Sequence, residues 1–435
     1  MLEGILPGDV ELRDLGAHRL KDLANPEHLF QLAAPGLERD FPAPRSLDAR
    51  PNNLPVQLTS FVGREAEIAA INELLDAARL VTLTGPGGTG KTRLAVQVAA
   101  ERLGRHGDGV FFVELAPATD PALVPSAVAA ALHLREGADR PITETLNDWL
   151  RERDLLLVLD NFEQVIDAAP FVTSLLGAAP RLRVIVTSRA PLRVHGEQEY
   201  PVPPLRIPDA AHLPGLAQLS QYEGVGLFID RARAVRPDFA VTDATAPAVA
   251  EIVARLDGLP LAIELAAAKS RLLGPEGILG RLGSRLAFLR GGARDLPARQ
   301  QTLREAIDWS YRLLDPVDQA RLRCLGVFMG GFTLPAAAAV LELDDPAIGA
   351  DDAVGGLAEQ SLLRRDEGER GEPRFSMLET IREFALERLV EAGEDEVERR
   401  RHATYFLGRA EQLEPTLLQS NESGDDIARD HDNYR

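Results

Sequence analysis

The residues with the strongest chemical signature lie at Gly85-Pro86-Gly87-Gly88-Thr89-Gly90-Lys91-Thr92, which fits G-x-x-x-x-G-K-[ST] at every fixed position. Each residue type has a job in such a loop. Gly85, Gly87, Gly88 and Gly90, with Thr89 among them, let the backbone turn tightly and aim N–H groups at phosphate oxygens. A helix starting there adds the positive end of its dipole. Lys91 reaches the β- and γ-phosphates, and the Thr92 hydroxyl is a ligand for Mg²⁺. Arg93 follows directly and is counted with the binding residues. Lysine is otherwise scarce: Lys21, Lys91 and Lys269 stand among 48 basic residues, so a lysine inside this loop is informative.

A phosphate loop needs a carboxylate at the end of a neighbouring strand. Leu155–Leu159 reads LLLVL and is followed by Asp160, which would hold Mg²⁺ directly or through water. Glu163 is the candidate for orienting an attacking water, and a helix N-terminal acid is the structural alternative. A further run, Arg183–Thr187 (RVIVT), closes on Ser188-Arg189. An arginine at that strand tip can touch a γ-phosphate and report whether a tri- or diphosphate is bound.

These side chains require an α/β frame. Arg79–Thr84 (RLVTLT) reads as a buried strand before the loop, and Arg93–Leu103 as an amphipathic helix after it. The chain has 435 residues, 45% hydrophobic and 26% charged, which suits two to four soluble domains. Its formal net charge of −19 disfavours general affinity for nucleic acid or anionic membrane. The single cysteine, Cys324, excludes an intrachain disulfide and a Cys-based zinc site, and it reads as a core residue beside Leu322 and Leu325. No apolar run has spanning length and no basic-then-apolar leader opens the sequence, so the expected location is cytoplasmic.

The order of motifs resembles the STAND class of signal-transduction ATPases, close to the NB-ARC group, and bacterial regulators that join this module to cyclase or DNA-binding domains. Phe61-Val62-Gly63-Arg64-Glu65 matches the opening motif, which in the family lies against adenine and ribose. The phosphate loop, the LLLVL-Asp160 strand and the Thr187-Ser188-Arg189 tip follow. Gly258-Leu259-Pro260-Leu261-Ala262 matches the GLPLA motif that opens a helix in a small helical domain, its proline near the adenine. Thr302–Leu314 (TLREAIDWSYRLL) is similar to the start of the family's winged-helix domain. The resemblance covers about residues 55–410 and implies ATP/ADP and Mg²⁺ as cofactors, a closed ADP state, an ATP state that can form homo-oligomers, and slow turnover.

Two positions depart from the family pattern. Asn161 stands where the second strand-end acid is expected, which counts against fast hydrolysis. Met377-Leu378-Glu379 aligns with Met-His-Asp, and Leu378 cannot donate the hydrogen bond that the family's histidine gives the ADP β-phosphate.

The expected division is residues 1–34, resembling the last segment of a class III nucleotidyl cyclase domain; a linker at 35–55; a P-loop domain at 56–205; a helical domain at 206–296; a winged helix at 297–378; and C-terminal helices at 379–435. The segment Val10–Leu32 carries none of a cyclase's metal-binding aspartates, so cyclase activity is not expected, and its plain structural alternative is a strand pair and turn. The helix that would enter a DNA groove, Ala350–Gln360, has no Lys or Arg and carries Asp351, Asp352 and Glu359, which argues against DNA contact. Leu362–Arg365 and Arg374–Met377 form the expected wing. The leading function is a nucleotide-gated regulatory switch. The alternatives are a DNA-binding regulator with a basic face from Arg304, Arg312, Arg321 and Arg323, and an inert fragment of a larger cyclase-linked regulator.

Overall fold

The computed structural model describes residues 11–18, 27–34, 50–135, 140–209, 214–289, 302–343, 346–367, 372–413 and 430–434. By their contacts the residues form two units, Met1–Leu83 with Lys91–Tyr200 and Thr84–Gly90 with Pro201–Arg435. The boundary falls inside the phosphate-loop motif, between Gly90 and Lys91.

At the head of the first unit, β1 (Glu11–His18) and β2 (Glu27–Ala33) pair antiparallel, with a register shift between Asp14 and Gly16. This pairing is the plain alternative for that segment. Of the expected linker, residues 35–49 lie outside the described residues. Its end is tied down: Asn52 bridges Val110, and Asn53 exchanges side-chain hydrogen bonds with the backbone of Phe112.

After α1 (Glu65–Ala77) comes a five-stranded sheet in the order β4-β5-β6-β3-β7. Its strands are β3 (Leu80–Thr84), β4 (Gly109–Glu114), β5 (Leu155–Asp160), β6 (Arg183–Thr187) and β7 (Glu197–Pro201). β4, β5, β6 and β3 run parallel. Every residue of β3 and β5 is buried, which explains their continuous apolar sequences: a parallel strand covered on both faces needs no alternation. α2 (Lys91–Arg102), α3 (Val124–Ala131), α4 (Ile142–Leu150) and α5 (Ala169–Ala178) accompany the sheet, and Leu146, Leu150, Val172 and Leu175 join Leu155, Leu157 and Leu159 in its core.

The second unit is mostly helical. α6 (Glu223–Val235), α7 (Ala246–Arg255) and α8 (Pro260–Ala267) make the helical part, with Pro260 at the first turn of α8, where its missing N–H costs no hydrogen bond. Gly258 holds φ +64°, and a Cβ there would stand 2.3 Å from the Leu205 carbonyl oxygen, so this turn of the GLPLA motif admits only glycine.

The winged-helix part begins with α9 (Leu303–Arg312), capped by Thr302, whose hydroxyl accepts from Glu305 N at 3.0 Å. α10 (Pro316–Leu325) is capped by Asp315. Then come β8 (Phe332–Thr333), α11 (Leu334–Leu341), α12 (Pro346–Glu359), and the antiparallel wing of β9 (Arg364–Glu367) and β10 (Pro373–Ser376). α13 (Glu379–Ala392) and α14 (Asp395–Leu413) follow. The wing strands lie within two residues of their expected places. Leu322 and Leu325 are buried as expected, while Cys324 between them is only half-buried. Among the described residues, no helix is long and apolar enough to cross a membrane.

Candidate nucleotide-binding site

In the first unit the site is built from the start of one helix and the ends of two parallel strands. α2 starts at Lys91, β5 ends at Asp160 and β6 ends at Thr187. Thr92 Oγ1 donates to Asp160 Oδ1 at 2.7 Å, and Thr187 Oγ1 donates to the same oxygen at 2.6 Å. Thr187 Oγ1 also accepts from Asn161 N at 3.1 Å. Asn161 itself is left-handed, with φ 63°, a conformation asparagine tolerates better than most residues. Thr187 thereby fixes both the strand-end carboxylate and the turn after it. Its place two residues before Arg189 was the available sequence signal for this role.

Four charged groups share this patch. Glu163 Oε1 and Arg189 Nε form an ion pair at 3.4 Å, both side chains almost fully buried. Asn161 Nδ2 lies 3.5 Å from the same Glu163 oxygen. Burial lowers the Lys91 ammonium to about 8, with Glu163 and Asp160 opposing that shift and Arg189 adding to it. Burial pushes the Asp160 carboxyl up, against the hydroxyls of Thr187 and Thr92 that pull it down. The expected roles of Glu163 and Arg189 were independent, whereas the structure joins them directly.

Other predicted residues of the first unit make separate contacts. Gly63 and Arg64 are both left-handed, with φ 67° and 69°, and carry Val62 into the start of α1; Arg64 is buried. The Arg93 guanidinium is engaged elsewhere than the phosphate positions: Nη2 donates to the carbonyls of Thr59 and Ser60, each at 2.9 Å, and it lies 6.0 Å from the Phe61 ring. Arg93 therefore anchors the segment leading into Val62-Gly63-Arg64. Glu197, which the sequence did not single out, accepts from Leu192 N and Arg193 N at 2.8 Å each and closes the loop that follows Arg189.

In the second unit the glycine-rich loop packs against the GLPLA helix and α9. Leu261 N donates to Gly88 O at 3.3 Å, and Thr89 Oγ1 donates to Pro86 O at 3.0 Å. Gly88 holds φ +84°, and a Cβ there would stand 3.2 Å from Leu261 Cβ. A Cβ on Gly90 would be 3.7 Å from Pro260 Cγ, and one on Gly87 would be 3.3 Å from Ala306 O. Gly85 sits against Val202. Glycines thus stand where side chains would meet Leu261, Pro260 and the Ala306 carbonyl.

Asp257, immediately before the GLPLA glycine, reaches the residue after the Leu378-Glu379 pair. Its Oδ2 accepts from Thr380 N at 3.2 Å and Thr380 Oγ1 at 3.4 Å, capping α13. Burial pushes its carboxyl up. Leu378 is buried, so an apolar contact stands where the family pattern has a histidine.

A family model described as Novel STAND NTPase 1 matches residues 56–260, and one described as a winged helix-turn-helix domain matches residues 310–390. An uncharacterized protein of Mycobacterium tuberculosis is 40% identical over 340 residues, covering 78% of this chain and 83% of that protein. The chain belongs to the STAND NTPases. A Mycobacterium tuberculosis protein named as a candidate HTH-type transcriptional regulator is 42% identical over 342 residues, 78% of this STAND NTPase and 37% of that protein. The regulatory protein AfsR of Streptomyces griseus is 31% identical over 369 residues, 80% of this chain and 35% of AfsR. The chain thus spans little more than a third of these longer relatives. Among solved structures, a STAND protein with a tetratricopeptide repeat sensor from Pyrococcus horikoshii overlaps 80% of this chain and 45% of its own, at 15% identity and a TM-score of 0.30. So loose an overlap leaves the family to rest on the sequence matches.

Proposed function

We propose that this STAND NTPase is an adenine-nucleotide-gated regulatory switch, binding ATP or ADP with Mg²⁺ and coupling the nucleotide state to signalling or transcriptional control. The observation that carries the reading is the hydrogen bond joining the last residue of the phosphate-loop motif to the end of β5, Thr92 Oγ1 to Asp160 Oδ1 at 2.7 Å. Two hard oxygen donors suit a hard divalent cation. Thr92 and Asp160 would hold Mg²⁺, which would neutralise charge on the bound phosphates. Lys91 binds phosphate oxygens, and the N–H groups of Gly85–Gly90 cradle them. Arg189 reads the terminal phosphate, and the family resemblance assigns base contacts to Val62, Gly63 and Arg64 of the first unit and to Pro260 of the second. Hydrolysis is slow at most, because Asn161 stands in place of a second acid.

The names of the longer relatives support a regulatory role. A direct DNA-reading role finds less support in the winged helix. The arginines of its candidate basic face all meet carboxylates: Arg304 with Glu387, Arg312 with Asp308 at 2.6 Å, Arg321 with Asp318 at 2.8 Å, and Arg323 with Glu394 at 3.0 Å. On α12, Asp351, Asp352 and Glu359 are exposed. The working division keeps the domain limits at 56–205, 206–296, 297–378 and 379–435.

The test is the thermal midpoint of the purified protein with Mg·ATP, Mg·ADP, Mg·GTP and no nucleotide. Selective binding to the folded state raises the midpoint by mass action. Adenine nucleotides are expected to raise it, GTP not, and Lys91→Ala to abolish the rise. Equal stabilisation of Lys91→Ala would refute the reading.

A further inference from the structure

We infer that Glu163 is an internal competitor for Arg189, and that it sets how strongly the site prefers a triphosphate to a diphosphate. The inference rests on the nucleotide reading above and names the residue that regulates it. A guanidinium fork presents its N–H groups to planar or tetrahedral oxyanions, and only one such anion can occupy a given edge well. In this structure the anion at Arg189 Nε is the Glu163 carboxylate. Their separation of 3.4 Å is longer than the roughly 2.7–2.9 Å of a tight charge-assisted hydrogen bond. The second contact of that carboxylate oxygen, from Asn161 Nδ2, is equally long at 3.5 Å. Glu163 Oε2 is buried without any hydrogen-bond partner. Glu163 is therefore held in the patch by attraction to Arg189 more than by a satisfied hydrogen-bond set.

Charge balance makes the competition specific. Lys91 and Arg189 supply two cations, and Asp160 and Glu163 two carboxylates. Asp160 is fixed by two hydroxyls, so it cannot yield without stranding Thr92 and Thr187. Glu163 has no such hold and is the carboxylate that can give way. A terminal phosphate that takes the Nε edge of Arg189 displaces Glu163, whereas a diphosphate leaves the pair intact. The glutamate thus weakens ATP binding selectively, and its release on ATP binding frees a carboxylate next to the reacting end of the nucleotide. A buried ion pair is a weak source of stability because desolvation offsets the attraction, which removes the main structural reason for this one.

The experiment is equilibrium competition against a fluorescent ADP analogue in Mg²⁺, giving affinities for ADP and for the slowly hydrolysed adenosine 5′-(β,γ-imido)triphosphate. It is run on wild type, Glu163→Gln, Arg189→Gln and the double variant. Glu163→Gln should raise the triphosphate-to-diphosphate affinity ratio on the order of tenfold with ADP affinity retained, as release of one charged hydrogen-bond competitor predicts. Arg189→Gln should lower the ratio, and the double variant should match Arg189→Gln alone. A wild type that binds both nucleotides while Glu163→Gln leaves the ratio unchanged, or weakens both nucleotides equally, overturns the inference and leaves the nucleotide reading standing. A wild type that binds neither overturns both. Should Glu163→Gln fail to fold, Arg189→Gln decides: a ratio equal to wild type overturns the proposal.

Discussion

The sheet-end patch and the winged helix use charge in opposite ways. At the patch, Lys91, Arg189, Asp160 and Glu163 converge where water is largely excluded, and burial shifts Lys91 down and Asp160 up. In the winged helix, Arg304, Arg312, Arg321 and Arg323 are each neutralised by a neighbouring acid, and Arg312 is 72% exposed. Buried convergent charge is costly and is kept where a ligand needs it. Paired surface charge is cheap and contributes little. From this contrast we propose that the patch is the place for a ligand and that the winged-helix arginines serve their own ion pairs.

The largest effect that would sharpen the contrast is expected at Asp160. Asp160→Ala leaves the Thr92 and Thr187 hydroxyls without their acceptor and should cost about 2–6 kcal/mol in urea denaturation, at about 1–3 kcal/mol per stranded group. Asp160→Asn keeps an acceptor and should lose far less stability. A smaller loss, about 1–3 kcal/mol, is expected for Asp257→Ala, which strips the cap from Thr380 N. Unchanged stability there would show that this capping contact contributes nothing.

Lys91 gives a pH signature. Its folded-state value of about 8 lies below the usual 10.5, so between these values the unfolded chain holds a proton that the folded chain has released. Stability should therefore rise with pH across that window relative to Lys91→Met, and the two should run parallel below pH 8. Urea midpoints at pH 7.5, 8.5 and 9.5 (on the order of one unit apart, as a titration of this width requires) measure the difference. A parallel course throughout would place Lys91 in water. The smallest effect should come from the surface: Arg312→Ala is expected to change stability by less than about 0.5 kcal/mol. A gel shift at low salt, where phosphate attraction is strongest, should show no retention of duplex DNA. Retention abolished by Arg312→Ala would break the contrast.

The sequence made the frame of the patch legible because local pattern and chemistry coincide there. RLVTLT, LLLVL and RVIVT became β3, β5 and β6 with their ends within a residue, since each is an unbroken buried run stopped by a polar residue. The glycine motif marked the start of α2, two residues before the expected Arg93. What stayed hidden are side-chain pairings across long separations. Glu163 meets Arg189 from a different strand end, Asp257 caps a helix 123 residues away, and Arg93 turns back to the carbonyls of Thr59 and Ser60. Spacing within a motif cannot reveal such partners, because they depend on which strand ends the sheet order brings together.

The most direct test of the account is calorimetric titration of ATP into wild type and Asp160→Asn, each with and without Mg²⁺. Wild type should bind ATP more tightly with Mg²⁺, and Asp160→Asn should bind with the same weaker affinity in both conditions. Mg²⁺-independent binding by wild type, or an undiminished Mg²⁺ effect in Asp160→Asn, would contradict the assignment of this patch as the metal–nucleotide centre.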